Sequence, residues 1–344
     1  MLKEIEEQPI VIRRILEKYS NDLGILEIEP ELIKNINSSD KIYIVACGTS
    51  YHAGLIGKEF FEKISKKPTE VLIASEFIYN TPMLSENPMF IFISQSGETA
   101  DSRSGLIKVK NLGFKTLTIT NAKNSTLFRE ADFSLLLWAG PEIAVASTKA
   151  YIAQITLLAI LSVKINNSLN IDLRNELYNI SLEIEQLCSQ KDIYKEFSKK
   201  IKDAKSCFYI GRGIDYLVCL EAALKLKELS YIHTEGFAAG ELKHGTIALI
   251  EDNTPVIAIN TQNNLDSHTR SNVKEVKARG ANAITICKRS LKTDEDNIII
   301  NDVNELFTPL LSIIPTQYIA YYTALLKDCD IDKPRNLAKS VTVE

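Results

Sequence analysis

A chain of 344 residues is long enough for about two domains of ordinary size, each with its own hydrophobic core. Its hydrophobic fraction of 45% and charged fraction of 24% are those of a globular protein in water. The formal net charge of −4 provides no general attraction to nucleic acid or to anionic membranes, so an anionic substrate must be held by a local site.

Targeting and membrane signals are weak in this sequence. The first seven residues are acidic and lack the basic, apolar and small-residue regions of a secretory signal. The longest apolar run, from Ile155 to Val163, contains Thr156 and Ser162 and is too short to span a bilayer. The six cysteines include no C-x-x-C pair, which is typical of free thiols in a reducing compartment. We therefore expect a cytoplasmic protein that binds neither nucleic acid nor membrane.

Strand-like and helix-like segments alternate along the chain, which predicts parallel sheets with helices on both faces. An N-terminal helical arm is expected at residues 1–25, and residues 26–168 form the first predicted α/β domain. Residues 169–205 are rich in lysine, glutamate and leucine and are predicted as a helical bridge to a second domain at residues 206–330. Residues 331–344 are the C-terminal tail. The predicted strands are Lys41–Cys47, Val71–Ala74, Phe90–Ser94, Lys115–Thr120, Ser134–Trp138, Cys207–Ile210, Pro255–Asn260, Ala283–Cys287 and Asn297–Asn301.

The two predicted domains look like copies of one another. Residues 91–120 can be laid over residues 258–287 without a gap, which places Gly113 on Gly280. A duplicated domain is the simplest explanation. The predicted fold class is therefore α/β, with two tandem doubly wound, flavodoxin-like parallel sheets, an N-terminal helical arm and an ordered C-terminal tail.

The most informative stretch of the first domain is a buried strand followed by a hydroxyl-rich turn. Ser94, Ser96 and Thr99 lie within six residues, together with the amide of Gln95, where a helix should begin. A helix start offers unpaired N–H groups and the positive end of its dipole, so this turn can bind an anion such as a phosphate. The alternative is that the hydroxyls only cap the helix. Three hydroxyls exceed what one cap needs, which favours a ligand.

The second copy has T-Q-N-N-L-D at the matching position, without the glycine and most of the hydroxyls. We therefore expect one phosphate site per chain, in the first copy.

A second turn should lie next to this one. Cys47, Gly48, Thr49 and Ser50 follow the first predicted strand and should lie at the same carboxyl edge of the sheet. Alone, this turn is consistent with an ordinary strand-to-helix connection. Beside the hydroxyl-rich turn, it is a candidate second wall of the phosphate pocket.

Two further stretches carry candidate acid–base residues. On a predicted helix, Glu221, Lys225 and Glu228 form a narrow charged stripe between apolar flanks, which is typical of a pocket-lining helix. An ordinary surface ion pair is the alternative. Further on, His244 is a candidate for proton transfer, with a packed or surface histidine as the alternative. Glu241 shares its helical face, but the neighbouring residues do not favour a metal site, and we expect no metal or cofactor.

At this point the motifs resemble the isomerase portion of the glutamine:fructose-6-phosphate amidotransferase family, also called glucosamine-6-phosphate synthase. The resemblance covers essentially the whole chain and implies two tandem sugar-isomerase (SIS) domains. The motifs that carry it are C-G-T-S, S-Q-S-G-E-T-A-D, E-I-A-V-A-S-T-K-A, E-A-A-L-K-L-K-E-L-S-Y-I-H, A-A-G-E-L-K-H-G and the terminal P-R-N-L-A-K-S-V-T-V-E.

The resemblance implies a role for each candidate residue. Lys339 would form a Schiff base with open-chain fructose 6-phosphate, although composition alone suggests only a solvated charge in a frayed tail. Glu228 would move a proton between C1 and C2 with help from Lys225, and His244 of a neighbouring subunit would open the sugar ring. These roles imply a homodimer that makes glucosamine 6-phosphate. The remaining residues would bind substrate: Ser50, Ser94, Gln95, Ser96 and Thr99 the phosphate, and Val145 and Ala338 through their backbones.

The chemistry of such an isomerisation requires a carboxylate and a neutral lysine amine, whatever the family. A carboxylate beside C1 and C2 can carry a proton across an enediol or enolamine. A lysine attacks a carbonyl only as the neutral amine. We therefore expect Lys339 to be desolvated, or near another cation such as Lys225, so that its pKa is lowered. A tail folded over the pocket would provide that burial.

Full-length members of the family begin with a glutaminase domain that has an N-terminal cysteine nucleophile. The sequence given begins Met1-Leu2, so we expect this chain by itself not to draw ammonia from glutamine. A glutaminase domain is an expected partner where the full-length protein carries one. Two alternatives stay open: a stand-alone glucosamine-6-phosphate deaminase or phosphosugar isomerase, and a non-catalytic phosphosugar sensor. The combination of acid–base residues argues against the sensor, as does the absence of a basic DNA-binding segment.

Overall fold

The computed structural model describes residues 1–342, which contain ten β-strands and thirteen α-helices. The strands are β1 (Lys41–Ala46), β2 (Thr69–Ile73), β3 (Pro88–Ser94), β4 (Lys115–Thr120), β5 (Phe133–Leu136), β6 (Ser206–Gly211), β7 (His233–Ala238), β8 (Pro255–Asn260), β9 (Asn282–Lys288) and β10 (Ile298–Ile300). The helices are α1 (Leu2–Glu6), α2 (Gln8–Lys18), α3 (Pro30–Ser38), α4 (Gly48–Phe60), α5 (Ala74–Phe77), α6 (Ala100–Asn111), α7 (Thr126–Glu130), α8 (Lys149–Ile165), α9 (Leu173–Ser189), α10 (Lys191–Ile201), α11 (Ile214–Ser230), α12 (Asp266–Lys277) and α13 (Pro309–Leu326).

Contacts divide the chain into two compact units, each built around one sheet. The N-terminal unit contains residues 7–142 and 149–181 and the tail from residue 338. The C-terminal unit contains residues 1–6, 143–148 and 182–337. No helix within the described part of the chain combines the length and the apolar character that crossing a bilayer requires.

Both sheets are parallel and have the same strand order. The first sheet runs β2-β1-β3-β4-β5, and the second runs β7-β6-β8-β9-β10. In each sheet the strand that comes first in the chain lies between the second and the third, so the chain order reverses next to it. Ligands of such sheets bind at the carboxyl ends of the strands beside this reversal. The predicted tandem doubly wound α/β fold is confirmed.

The core of the N-terminal unit lies around β3. All seven residues of this strand are buried, since helices cover both faces of a parallel sheet. Phe90 stacks on Tyr43 of β1 with a ring-centroid distance of 5.1 Å, and it packs against Phe77 at 5.8 Å. The turn after Ser94 therefore rests on a densely packed strand.

One strand was not predicted. The sequence H-T-E-G-F-A of β7 has little apolar alternation, because β7 is an edge strand with most of its residues partly exposed. Gly236 in this strand passes close to α11: a Cβ there would lie 2.6 Å from the carbonyl oxygen of Cys219. The strand is positioned by close packing between backbones, which a hydropathy pattern does not reveal.

Candidate functional site

The hydroxyl loop, residues 94–99, connects β3 to α6. Ser94 Oγ accepts a hydrogen bond from the Gly97 amide at 3.0 Å and lies 2.9 Å from Thr99 Oγ1. Ser96 Oγ accepts a hydrogen bond from the Glu98 amide at 3.2 Å. Thr99 is the N-cap residue of α6, and its side chain makes no cap hydrogen bond. The hydroxyls therefore shape the loop rather than cap the helix, so capping alone does not explain them.

Gly97 gives this loop its conformation. Its φ of +68° lies in the left-handed region, and a Cβ at this position would lie 2.0 Å from Ser125 Oγ. The Gly97 carbonyl accepts a hydrogen bond from the Leu127 amide at 3.0 Å. Only glycine fits here, so this loop conformation depends on Gly97.

The C-G-T-S turn lies beside the hydroxyl loop, as predicted. Strands β1 and β3 are neighbours, and Ala46 is in register with Ile93, so both turns begin at the same edge of the sheet. Ser50 is buried, and its Oγ accepts a hydrogen bond from Gln154 Nε2 at 2.9 Å. Burial raises the pKa of the Cys47 thiol, with a smaller contribution from the charge of Asp101, so this cysteine is protonated and not a nucleophile. Gly48 and Thr49 form the first turn of α4.

The C-terminal tail contacts the hydroxyl loop within the N-terminal unit. Ser340 Oγ lies 3.0 Å from Ser96 Oγ, and the Val341 carbonyl accepts a hydrogen bond from the Ala100 amide at 3.1 Å. Ala338, two residues before Ser340 in the tail, is exposed. The tail is therefore docked at the N-terminus of α6 rather than frayed, up to residue 342, where the described residues end.

Lys339 has a different neighbour from the one expected. Its Nζ donates to Glu142 Oε2 at 2.6 Å, and the Glu142 side chain is fully buried while that of Lys339 is 24% exposed. We expected desolvation or a nearby cation. Within the N-terminal unit it pairs instead with a carboxylate, that of Glu142.

Helix α11 of the C-terminal unit carries a buried acid–base cluster. The Lys225 side chain is 1% exposed, and its Nζ lies 2.6 Å from Glu228 Oε2 and 3.5 Å from Glu221 Oε1. The alternative of a surface ion pair is therefore wrong. A buried ammonium needs such partners because desolvating an unpaired charge is costly. Glu221 is fully buried, whereas the Glu228 side chain is 21% exposed, so Glu228 is the carboxylate that a ligand can reach.

The other candidate residues of this unit are less enclosed. His244 is exposed at the end of a 3₁₀ turn, Glu241–His244. Val145 donates its amide hydrogen to the Asp332 carbonyl at 3.0 Å, so a substrate contact through this N–H would have to break that bond. Within residues 1–342, no group of three or more His, Cys, Asp and Glu side chains is arranged to hold a metal ion.

The two α/β halves of the chain both match one known domain family. The SIS domain family matches two stretches, residues 35–164 and 200–327. The chain belongs to the SIS domain family. The two SIS matches coincide with the two parallel sheets, so the internal repeat predicted from the sequence is a duplicated SIS domain.

The chain is also similar to one longer protein and to two solved structures of about its own length. It is 59% identical over its full length to glutamine–fructose-6-phosphate aminotransferase (isomerizing) from Geobacillus kaustophilus, and it spans 58% of that relative's length. The C-terminal domain of glucosamine-fructose-6-phosphate aminotransferase from Francisella tularensis has a TM-score of 0.91 at 35% identity, with 97% of each chain covered. A glucosamine-6-phosphate deaminase from Thermotoga maritima shares the fold, with a TM-score of 0.80, 24% identity and coverage of 99% of this chain and 98% of that one.

The two SIS copies differ at the site, in a way that sequence analysis did not detect. Thr261, which matches Ser94, donates its amide hydrogen to Asp215 Oδ2 at 2.7 Å and its hydroxyl to Asp215 Oδ1. Asp215 is 1% exposed, and burial raises its pKa to about 6, although the hydrogen bonds from Thr261 lower it in part. The second copy thus has its own carboxylate at the edge where the first copy has the hydroxyl loop. This supports the prediction of one phosphate site per chain.

Proposed function

We propose that this chain is the sugar-phosphate isomerase part of a glucosamine-6-phosphate synthase, which converts fructose 6-phosphate and ammonia to glucosamine 6-phosphate. The main support is the hydroxyl loop at the start of α6, which groups three hydroxyls at a helix N-terminus and which the C-terminal tail contacts directly. The 59% identity to the aminotransferase of Geobacillus kaustophilus supports the same reaction.

The phosphate of the sugar is bound by the hydroxyl loop and the neighbouring C-G-T-S turn. Hydroxyl and amide donors at a helix N-terminus suit phosphate, because the helix dipole adds to their hydrogen bonds. The protein has no general positive field, with a net charge of −4, so binding depends on these local donors. The phosphate-binding residues are Ser50, Ser94, Gln95, Ser96 and Thr99, with Cys47, Gly48 and Thr49 forming the adjoining wall.

The carbonyl end of the sugar reacts with Lys339 and Glu228. The neutral Lys339 amine attacks C2, and loss of water leaves a Schiff base. Ammonia then adds to C2 and displaces the Lys339 amine, which leaves an imine of ammonia whose C1 protons are acidic. Glu228 then takes a proton from one carbon and returns it to the other. Lys225, 2.6 Å from Glu228, holds this carboxylate in place and stabilises its charge. Val145 and Ala338 contact the sugar through their backbones.

Ring opening and ammonia supply involve other chains or segments. We propose a homodimer in which His244 of one subunit opens the sugar ring in the other, which is consistent with the exposure of His244. In a full-length protein a glutaminase domain would supply the ammonia. The protein works in the cytoplasm, in keeping with its six free thiols within residues 1–342.

The test is an isomerisation assay on the purified chain, with fructose 6-phosphate and with or without ammonia. We expect glucose 6-phosphate without ammonia and glucosamine 6-phosphate with it. Glu228→Gln should still bind fructose 6-phosphate but lose at least ~100-fold in turnover, as expected when a general acid–base is removed. Lys339→Ala should abolish borohydride trapping of the sugar adduct.

Each outcome has a clear meaning. Unchanged turnover in Glu228→Gln would refute the proton-transfer role, and persistent trapping in Lys339→Ala would point to another lysine. Deamination of glucosamine 6-phosphate without any synthesis in ammonia would favour the stand-alone deaminase. Binding of fructose 6-phosphate without turnover by the wild type would favour a phosphosugar sensor.

A further inference from the structure

The loop of residues 143–148, between β5 and α8, carries Val145, for which a backbone contact with the sugar is proposed. Its residues form neither helix nor strand, so no repeating pattern of backbone hydrogen bonds fixes the path of the chain. Ala144 is buried and Val145 is half-buried, and buried N–H groups need acceptors. The position of this loop therefore depends on the groups that accept from its amides.

Glu4 of α1 supplies the acceptor for two of these amides. Its Oε1 accepts hydrogen bonds from the Ile143 amide at 2.6 Å and from the Ala144 amide at 3.2 Å. The next amide, that of Val145, donates to the Asp332 carbonyl at 3.0 Å. Glu4, the loop and Asp332 all belong to the C-terminal unit. Three consecutive amides of the loop are thus occupied, and the Glu4 side chain holds two of them.

The Glu4 side chain is itself held in place. Glu4 is 6% exposed, and the neighbouring Ile5 is fully buried. On the next residue of α1, the Glu6 carboxylate pairs with Lys191 of α10. Because α1 is anchored by contacts that do not involve the loop, the Glu4 side chain sets the position of the loop rather than following it.

We infer that Glu4 is a positioning residue for the sugar, which fixes the 143–148 loop so that the backbone of Val145 is in place for its contact with the substrate. This inference rests on the proposed function, in which Val145 makes that contact. Both hydrogen bonds end on the same oxygen of Glu4, so the task requires an acceptor at this position rather than a negative charge.

Three variants of α1 test the inference. Glu4→Ala removes the acceptor, and we expect its KM for fructose 6-phosphate to rise about tenfold with kcat nearly unchanged, as when a contact common to ground state and transition state is lost. Glu4→Gln should restore the wild-type KM, because its amide oxygen can accept from both amides. Glu6→Ala is the matched control: it breaks an ion pair of the same helix with Lys191, and the KM should not change.

Inhibition by inorganic phosphate separates this role from a merely structural one. Phosphate is expected to compete at the hydroxyl loop alone, so its inhibition constant should be the same in Glu4→Ala and in the wild type while the KM for the sugar phosphate rises. A lower melting temperature with an unchanged KM would mean that Glu4 only stabilises the fold, which overturns the inference. An inhibition constant that rises together with the KM would show a general distortion and overturns it as well.

Two further results keep the conclusion unambiguous. If the wild type does not isomerise fructose 6-phosphate, the proposed function fails and the inference with it; if it does and Glu4→Ala has the wild-type KM, only the role of Glu4 fails. Should Glu4→Ala not fold, as judged by its melting temperature, Glu4→Asp decides instead, because it withdraws the carboxyl group from the loop amides by the length of a methylene group. A higher KM in Glu4→Asp supports the inference, and an unchanged KM overturns it.

Discussion

Asp215 is a buried carboxylate whose protonation contributes to folding. Burial raises its pKa from 3.8 to about 6, so between these values the folded protein binds more protons than the unfolded chain. Its contribution to stability is therefore complete below pH ~4 and is lost as the pH rises through about 6. The shift of about two pKa units corresponds to ~3 kcal/mol.

We predict that the pH dependence of this contribution disappears in Asp215→Asn. The free energy of unfolding of the variant, relative to the wild type, should rise by about 3 kcal/mol between pH 4 and pH 7, because only the wild type loses this proton. Urea unfolding at several pH values measures the difference. A difference that stays constant with pH would show that Asp215 does not titrate in this range.

The sequence predicts a site residue when a local pattern of neighbouring residues marks it. Ser94, Ser96 and Thr99 were predicted because three hydroxyls follow a buried strand, and Lys225 because a charged stripe interrupts an apolar helix. Glu142 and Asp215 were not predicted as site residues. Their partners lie 197 and 46 positions away in the sequence, and such pairs become visible only when the chain is folded.

At the scale of elements, the strand, loop and helix formed by β3, the hydroxyl loop and α6 act as one unit. The strand is buried along its whole length, and the loop conformation depends on Gly97. The geometry of the loop is therefore set by packing beneath it as much as by the hydrogen bonds of its hydroxyls.

We predict that Gly97→Ala weakens phosphate binding. A side chain at φ +68° costs about 1–3 kcal/mol, and its Cβ would overlap Ser125, so the loop must move. The KM for fructose 6-phosphate should rise about tenfold, equivalent to ~1.4 kcal/mol of binding. Gly113→Ala is the matched control: Gly113 has a φ of +84°, but a Cβ there meets nothing within 4 Å. Steady-state kinetics should show an unchanged KM in the control; an unchanged KM in Gly97→Ala would contradict the prediction.

Elements were predictable where their hydropathy pattern is strong. The sequence overlay of residues 91–120 on residues 258–287 matches the structure. It pairs β3, α6 and β4 of the first copy with β8, α12 and β9 of the second, in the same order. Edge strand β7 was missed, because its place depends on close backbone packing at Gly236 rather than on an apolar pattern. The predicted alternation of segments was therefore sufficient for the fold class but not for every strand.

At the scale of the whole molecule, the duplication gives two sheets of the same order with different surroundings at their carboxyl edges. One edge presents the hydroxyl loop, which the C-terminal tail contacts, and at the other Asp215 accepts hydrogen bonds from Thr261. Acid–base residues such as Lys225 and Glu228 lie on α11 of the second copy. The two copies thus carry different side chains at matching positions of one architecture.

We predict that two inactive variants restore activity when mixed, if His244 acts in the neighbouring subunit. In a mixed dimer of Glu228→Gln and His244→Ala, one of the two sites has both an intact Glu228 and an intact His244. Since half of the randomly assorted dimers are mixed, activity should reach about a quarter of the wild-type value. Co-expression followed by the isomerisation assay measures this. A mixture no more active than the separate variants would show that His244 acts within its own subunit.

The contact between the Ala100 amide and the Val341 carbonyl also makes this amide a native reporter of the site. Its hydrogen is shielded from solvent exchange while the tail is docked. It becomes open to deuterium when the tail leaves the start of α6. The exchange rate of this single hydrogen therefore measures how often the tail undocks, without any label on the protein.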